Sequence, residues 1–227
     1  MAPPDSRRTM GERRIEHPIF AALYDRFVPD RFLVGLHREY LTADLAGRVL
    51  DLGAGNGAMI PYAADAADEG LEYHAIEPDP HMRRRAADVA ARSDLRVHLR
   101  DDRAESLPYV DDAFDVALSS LVFCTIADPD PALDELARVL RPGGELRFLE
   151  HVRNDGWRAR AQERLTPLWE RAAGGCQLHR ETVERFVGHD AFEVLEIERT
   201  DVGLFPATPV VRGRLRRRQV PSLSARS

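Results

Sequence analysis

Short apolar runs alternate with amphipathic stretches along most of the chain. Apolar runs of strand length occupy residues 48–52, 71–77, 95–99, 113–118 and 145–152. Between them, apolar positions recur at helical spacing over residues 56–67, 80–91 and 130–140. Strands that alternate with helices are typical of βαβ units, whose strands form a parallel sheet through right-handed crossovers. The pattern therefore predicts an α/β fold.

The pattern of predicted elements changes on both sides of this central alternation of strands and helices. The pattern predicts helices at residues 157–173 and 180–188, then two last strands at 192–200 and about 209–216 that could close the sheet. Ahead of the first strand, HPIFAALYDRF and RFLVGLHREYLTADL predict two short helices. We therefore predict one domain over residues 15–217, with a helical cap at 15–46, a helical insertion at 153–190 and disordered tails at 1–14 and 218–227.

Composition and charge narrow the class of protein. The 227 residues are 44% hydrophobic and 31% charged, an ordinary balance for a soluble domain. A formal net charge of −6 argues against a general nucleic-acid binder, although the tail VVRGRLRRRQV is locally basic. No apolar run reaches the roughly 18 residues of a membrane span, and the polar start is unlike a secretory signal. Two cysteines fit a reducing compartment, so we expect a cytoplasmic protein.

A glycine-rich turn follows the first predicted strand in VLDLGAGNGAMI. Gly53, Gly55 and Gly57 form G-x-G-x-G, while Gly53, Gly55 and Ala58 also satisfy the dinucleotide fingerprint G-x-G-x-x-G/A. Such turns bring the backbone close to a nucleotide-like ligand at the start of a helix. The turn alone therefore leaves S-adenosylmethionine and NAD(P) both open.

Two acidic residues bear on the choice of ligand. Asp51 precedes the turn, where it would repel a pyrophosphate but can pair with the ammonium group of S-adenosylmethionine. Glu77 ends the second strand, where an acid accepts hydrogen bonds from ribose hydroxyls in either kind of ligand. Charge complementarity therefore favours S-adenosylmethionine.

Four motifs, VLDLGAGNG, AIEPDPHM, RAESLPYVDDAFD and ELARVLRPGGELRFLEHV, resemble those of class I S-adenosylmethionine-dependent methyltransferases, in particular the ubiquinone/menaquinone-biosynthesis type. The segments SSLVFCTIADPDPALDELARVLRPGG and LTPLWERAAGGCQLHRET extend the resemblance towards a thiol S-methyltransferase branch. The resemblance covers residues from about 17 to about 215. It implies a Rossmann-like fold with a mostly parallel seven-stranded sheet, helices on both faces, and S-adenosyl-L-methionine as the cofactor.

The resemblance also implies which residues contact the cofactor. The methionine-end turn would comprise Asp51, Gly53, Ala54, Gly55 and Gly57, with Glu77 on the ribose, Pro78 near the adenine, Arg103 and Ala104 at the adenine edge, and Ser119 beneath the transferring methyl group. Many relatives have an acid where Arg103 stands, and an arginine cannot accept a hydrogen bond from the adenine amino group. Either Asp102 or the backbone of Ala104 would then take that role.

The segment after the fourth predicted strand bears on the methyl acceptor. There SSLVF (residues 119–123) lacks the Asn/Asp-Pro-Pro-aromatic motif of nucleobase amino-methyltransferases, and the apolar run 121–124 indicates a hydrophobic acceptor pocket. A thiol is partly ionised near neutral pH, whereas a phenol or quinol needs a stronger base. We therefore predict a small hydrophobic acceptor, with an alkyl thiol favoured and a quinol ring carbon or a phospholipid amine as alternatives.

Single residues near this pocket have more than one interpretation. His151, in LEHV at the end of the fifth strand, is the candidate general base, or else it fixes the strand end through a hydrogen bond. His179 is a second candidate base. Cys124 is interpreted as a packing residue and Cys176 as a residue at the pocket entrance. No cluster of Cys, His and Asp has the spacing of a zinc or iron site along the chain, so no metal is predicted.

The insertion helix carries an apolar stripe, most of which we expect in the core, with one or two residues in a lid over the acceptor. The stripe consists of Trp157, Leu165, Leu168 and Trp169.

Two other classes of protein stay open at this point. An NAD(P)-dependent oxidoreductase is allowed by the glycine fingerprint and Glu77, although Asp51 and the lack of a dehydrogenase motif count against it. A binding module that holds the cofactor without turnover is the other.

Overall fold

A computed structural model describes residues 15–18, 34–200 and 205–219. Its strands are β1 Arg48–Leu52, β2 Glu72–Ile76, β3 Val97–Arg100, β4 Phe114–Ser120, β5 Leu140–His151, β6 Phe192–Thr200 and β7 Val210–Arg217. Its helices are α1 Gly35–Thr42, α2 Ile60–Asp65, α3 Pro80–Ala90, α4 Pro129–Val139, α5 Gly156–Ala172 and α6 Thr182–Gly188. These elements confirm the predicted alternation of strands and helices.

The strands form one seven-stranded sheet in the order β3-β2-β1-β4-β5-β7-β6. The strands β1 to β5 pair in parallel, whereas β7 runs antiparallel between β5 and β6. The mostly parallel, Rossmann-like sheet is therefore confirmed. The strand order reverses between β1 and β4, and open α/β sheets bind ligands outside the carboxyl ends of their strands at such a reversal.

Apolar side chains cover both faces of the sheet, which is why consecutive residues are apolar at 49–50 in β1 and at 116–118 in β4. On one face, Leu50 and Leu52 belong to a buried cluster that includes Leu136 of α4. On the other face, Val49 and Leu118 belong to a second cluster. This two-sided core holds the carboxyl ends of the central strands in fixed positions.

The helix predicted at residues 56–67 is shorter than expected. The helix α2 begins only at Ile60, with Pro61 in its first turn, because the preceding turn passes through left-handed conformations at Gly55 and Gly57. The strand β5 is longer than expected, since its first residue, Leu140, already pairs with β4.

Only part of the predicted helical cap falls within the described residues. The helix α1 corresponds to the second predicted helix, whereas the first lies mostly in residues 19–33, outside the described part of the chain. The predicted tail at residues 1–14 lies outside it as well, as do residues 220–227 of the predicted tail at 218–227. None of the described helices is long and apolar enough to cross a membrane.

The expectation that the stripe of α5 lies mostly in the core is wrong. Trp157 is 71% exposed and Leu168 is 68% exposed. The buried side of α5 consists of Ala159, Gln162 and Thr166. Gln162 is needed there because its amide group donates hydrogen bonds to the carbonyl oxygens of Pro206 and Thr208, at 3.0 and 3.2 Å. A polar inner face therefore leaves the apolar stripe outside.

Candidate active site

A cleft of about 470 Å³ lies at the carboxyl ends of β1, β2 and β4, where the strand order reverses. The sequence-predicted cofactor residues that line it are Asp51, Gly53, Ala54, Gly55, Glu77, Pro78, Arg103 and Ala104. Gly57, Ser119 and His151 lie outside this lining. The structure thus brings most of the predicted residues together, although they come from three separate segments of the chain.

The glycine turn is closely packed from behind. Gly53 has φ +67°, and a Cβ atom there would lie 2.6 Å from Cγ1 of Val122. Gly57 has φ +83°, and its Cβ atom would lie 2.9 Å from Cα of Ala86 in α3. Around a Cβ atom on Gly55, by contrast, nothing would lie closer than 3.6 Å. Gly53 and Gly57 therefore allow tight packing, and Gly55 leaves room for a ligand to approach the backbone.

Glu77 braces this turn from the end of β2. Its Oε2 accepts a hydrogen bond from the backbone N–H of Gly55, and its Oε1 accepts one from the backbone N–H of Asp79, both at 2.8 Å. Burial raises the pKa of Glu77 to about 7, against the lowering effect of these hydrogen bonds. Asp79 also accepts a hydrogen bond from the backbone N–H of His17 at 2.7 Å. The N-terminal segment is thereby joined to the edge of the cleft.

Asp51 is buried at the end of β1, where its Oδ2 accepts a hydrogen bond from the Tyr73 hydroxyl at 2.9 Å. Burial raises the pKa of Asp51 to about 6, although the hydrogen bond of Tyr73 and the charge of Arg38 act in the opposite direction. Arg38 reaches the cleft from α1, a contact that no local sequence motif indicated. Because burial disfavours the ionised carboxylate, a cationic group of a ligand would be well placed to stabilise it.

The loop after β3 places Arg103, Ala104 and Glu105 on the cleft. Asp102 is turned to a different partner, since its Oδ2 accepts a hydrogen bond from Nε of Arg100 at 2.7 Å. Of the two alternatives for contacting an adenine amino group, the geometry favours the backbone of Ala104. Glu105, which stands inside the motif RAESL, adds an acid to this wall that was not among the predicted site residues.

Ser119 is not placed as predicted. It lies within β4 and is fully buried, and its hydroxyl donates a hydrogen bond to Oε1 of Glu150 at 3.0 Å. The same oxygen accepts the backbone N–H groups of Val122 and Phe123, at 3.0 and 3.1 Å. Ser119 and Glu150 therefore fix the loop after β4, and Ser120 is the serine that lines the cleft. Glu150 was not among the predicted site residues, and the only sign of it in the sequence is the strand-end motif LEHV.

The far wall of the cleft is formed by the loop after β4 and the loop after α5. Leu121, Val122 and Ile126 give this wall apolar surface, and Gly175 and Gln177 also line it. Leu121 has φ +60°, a backbone conformation that is rare for a bulky residue. The predicted apolar run thus contributes residues to a cavity wall as well as to the core.

The two candidate bases do not line this wall. His151 is 3% exposed, and its Nε2 lies 2.8 Å from Sγ of Cys176. Burial lowers the pKa of His151, but the hydrogen bond and charge of Cys176, together with the charge of Glu150, outweigh burial and raise it. His179 has its Nδ1 3.1 Å from the hydroxyl of Thr166. The second interpretation of His151, a residue that fixes the strand end, fits this geometry better than a base in contact with the acceptor.

Both cysteines are free and buried. Cys124 is buried as expected, whereas Cys176 is not at an open entrance but 8% exposed behind the wall. Hydrogen bonding to Cys124 and to His151 lowers the pKa of Cys176 to about 5, against the effect of burial. One ligand atom from each of Cys124, His151 and Cys176 lies within 4.8 Å of the others. The prediction of no metal site considered only spacing along the chain and missed this group.

A Rossmann-like methyltransferase is the class of protein that this sheet and cleft define. A family profile described as a methyltransferase domain matches residues 50–148. Human thiol S-methyltransferase TMT1B is 30% identical over 176 residues, which cover 73% of this chain and 69% of that protein. Its rat and mouse counterparts are matched over 55% of their length. The ubiquinone/menaquinone biosynthesis C-methyltransferase UbiE of Vibrio parahaemolyticus is 31% identical over 204 residues, which cover 81% and 76% of the two chains.

A solved S-adenosylmethionine-dependent methyltransferase from Thermotoga maritima has the same fold. Its TM-score is 0.63 at 20% identity, over 88% of this chain and 98% of that one. The chain belongs to the class I S-adenosylmethionine-dependent methyltransferases. It is therefore a methyltransferase that uses S-adenosylmethionine as its methyl donor, and the alternatives of an NAD(P)-dependent oxidoreductase and a silent binding module are set aside.

The residues of the cleft fit this cofactor. The buried carboxyl groups of Asp51 and Glu77 have raised pKa values, as expected where cationic and hydroxyl groups of a ligand complete their environment. The space beside Gly55 admits a ligand close to the backbone. Asp51 would hold the ammonium end of S-adenosylmethionine, and Glu77 would hold its ribose.

Proposed function

We propose that this methyltransferase acts on the sulfur atom of a small apolar thiol. The observation that carries the proposal is the far wall of the cleft, where Leu121, Val122 and Ile126 supply apolar surface while His151 is withdrawn behind it. An alkyl thiol suits such a wall because part of it is already thiolate near neutral pH and needs no strong base. The similarity to thiol S-methyltransferase TMT1B supports the same acceptor.

The chain's own residues would bind and align the two reactants. When bound, S-adenosylmethionine supplies an electrophilic methyl group, which the acceptor takes by in-line displacement. The acceptor thiol gives its proton to solvent before reaction. Leu121 and Val122 would exclude water from the thiolate, which strengthens its attraction to the cationic cofactor. Asp51 and Glu77 would fix the cofactor so that its methyl group faces this wall.

A ring carbon of a quinol is the second candidate acceptor. The similarity to UbiE favours it, since that similarity extends over 81% of this chain. A flat apolar ring would also suit a wall built from Leu121 and Val122. Carbon methylation of a quinol, however, needs removal of a proton. His151, the histidine that could serve as base, is hydrogen-bonded to Cys176 instead.

The two acceptors are separated by measuring release of S-adenosylhomocysteine across a pH series. Parallel reactions contain a small alkyl thiol, the matched alcohol or a quinol. We expect release that depends on the thiol and rises with pH towards the pKa of that thiol, with none from the alcohol. The variant Asp51→Ala controls for contaminating activity. Release that is independent of thiol, from protein that binds S-adenosylhomocysteine, contradicts the proposal, and release that requires the quinol establishes the second candidate.

A cytoplasmic location and a small-molecule acceptor complete the proposal. The two thiols are free, which suits a reducing compartment. The formal net charge of −6 disfavours a polyanionic acceptor such as nucleic acid.

A further inference from the structure

Three residues with metal-binding side chains meet behind the acceptor wall. One ligand atom from each of Cys124, His151 and Cys176 lies within 4.8 Å of the other two, and all three residues are buried. Cys124 is in the loop after β4, His151 ends β5, and Cys176 is in the loop between α5 and α6. The proposed methyl transfer uses none of them directly, so their convergence needs a separate explanation.

The surrounding structure holds the two cysteine segments together. The backbone N–H of Gln177 donates a hydrogen bond to the carbonyl oxygen of Cys124 at 2.9 Å. The indole N–H of Trp169 donates one to Sγ of Cys176 at 3.3 Å. The Cys176 backbone N–H donates to the carbonyl oxygen of Ala173 at 3.2 Å. The Cys124 thiol contacts the carbonyl oxygen of Leu121 at 3.5 Å, so both sulfur atoms have a partner in the fold. The sulfur of Cys176 has a donor beside it of the kind that orients metal-bound thiolates.

We propose that Cys124, His151 and Cys176 bind one zinc ion. Two thiolates and one imidazole are the soft and borderline ligands that zinc prefers. Two negative thiolates also neutralise a divalent cation, which makes the site compatible with its burial. The two thiols lose their protons to solvent as the ion binds, and nothing is oxidised or reduced. Three protein ligands leave the fourth tetrahedral position for water or another small ligand.

The distances require only a small rearrangement. Tetrahedral zinc, with Zn–S near 2.3 Å and Zn–N near 2.0 Å, separates its ligand atoms by about 3.5–3.8 Å. The contact of 2.8 Å between His151 and Cys176 must therefore lengthen by less than about 1 Å. A rotation of side chains can supply that movement, because His151 is the last residue of β5 and Cys176 lies in a loop.

The zinc site would brace the acceptor wall from behind. Thr125 follows Cys124 and lines the cleft, and Gly175 and Gln177, on either side of Cys176, line it too. An ion bound to both cysteines would tie the loop after β4 to the loop after α5. This inference concerns the wall itself, and it holds whether the acceptor is a thiol or a quinol.

The test begins with chain that is stripped by a chelator, kept reduced and loaded anaerobically with Zn²⁺ or Co²⁺. We expect one metal ion per chain and, for Co²⁺, the thiolate charge-transfer absorption of a tetrahedral sulfur site. Cys124→Ser, Cys176→Ser and His151→Ala should each weaken binding more than about 100-fold, since even changes outside the ligand set cost about 10–100-fold. Trp169→Phe should weaken it about 10-fold. His189→Ala is the matched control, because it removes a histidine that is hydrogen-bonded to Asp134 instead, and this variant should bind the metal ion normally.

A measurement on the unmodified chain guards against variants that fail to fold. Two thiols should react with a thiol reagent in the stripped chain under mild denaturation, and zinc should protect both. Absence of a stoichiometric ion, Co²⁺ absorption that survives either Cys→Ser change, or unprotected thiols would each overturn the proposal. If zinc-loaded chain that is then exposed to air, with dioxygen as the oxidant, is recovered as a Cys124–Cys176 disulfide, that result would overturn it as well.

Discussion

The carboxylate of Glu77 accepts the backbone N–H of Gly55 at 2.8 Å, so the acid that ends β2 holds the glycine turn that follows β1. Its other oxygen accepts the backbone N–H of Asp79 at the same distance. Each carboxylate oxygen still has a lone pair for a ribose hydroxyl. One side chain therefore shapes the turn and, in the proposed assignment, would also hold the cofactor.

Replacement of Glu77 by Gln should weaken cofactor binding even though the side chain keeps its size. One oxygen becomes an NH₂ group, which would face a backbone N–H donor and leave that donor unpaired. We expect a loss of about 1.5–3 kcal/mol, or roughly 10–100-fold in the dissociation constant of S-adenosylhomocysteine by calorimetry. Glu72→Gln, at the exposed start of β2, is the control and should change nothing. Undiminished affinity in folded Glu77→Gln would remove Glu77 from the site.

Gly57→Ala should destabilise the fold rather than block the cofactor. Its Cβ atom would lie 2.9 Å from Cα of Ala86, on top of the strain of φ +83°. Gly70 is the matched control, because its φ is +92° but a Cβ atom there meets nothing within 4 Å. We expect Gly70→Ala to cost about 1 kcal/mol and Gly57→Ala about 1–3 kcal/mol more in the free energy of unfolding. Equal costs in urea titrations would show that α3 moves away freely.

Features that depend on neighbouring strands could be predicted from the sequence. Asp51 and Glu77 both stand at strand ends, and parallel pairing of β1 with β2 brings such ends to one edge. The pattern of strands and helices, the glycine turn and both acids follow from local residues alone. This is why the sheet and most of the cofactor side of the cleft could be anticipated.

Features that depend on contacts between distant segments of the chain could not be predicted from the sequence. His151 contacts Cys176, which lies 25 residues further along the chain and beyond α5. The stripe of α5 faces outward because Gln162 is required by carbonyl groups of residues 206 and 208, far along the chain. Arg38 approaches Asp51 from a helix with no recognisable motif. Each of these three features depends on tertiary contacts, which the local spacing of apolar residues does not predict.

Cofactor affinity should rise with pH through the range in which Asp51 and Glu77 ionise. Burial raises the pKa of Asp51 from 3.8 to about 6 and that of Glu77 from 4.5 to about 7. Without ligand, the folded chain therefore keeps protons that the unfolded chain loses at the same pH. These two groups add to the free energy of unfolding below about pH 4, and this contribution is lost as the pH rises through 6–7. A cationic ligand favours the ionised carboxylates, and its binding should release protons below about pH 7.

Calorimetry in buffers of different ionisation enthalpy measures that proton release directly. Asp51→Asn should bind S-adenosylmethionine about 10–100-fold more weakly near pH 8 and should flatten the pH dependence. Methylthioadenosine, which lacks the ammonium group, should depend less on Asp51. A pH-independent affinity in the unmodified chain would contradict the assignment of Asp51 to the ammonium end.

Changes at Leu121 should separate acceptor binding from cofactor binding. Leu121 lines the far wall of the cleft and adopts φ +60°, a strain of the kind that collects at functional sites. Asn tolerates this conformation but removes the apolar surface, so Leu121→Asn should raise the KM of an apolar acceptor about 10-fold or more while the affinity for S-adenosylhomocysteine stays unchanged. Leu121→Gly should do the same, because it removes the same surface together with the strain. If either variant weakens cofactor binding as strongly as acceptor binding, Leu121 shapes the whole cleft and the acceptor wall must be sought elsewhere.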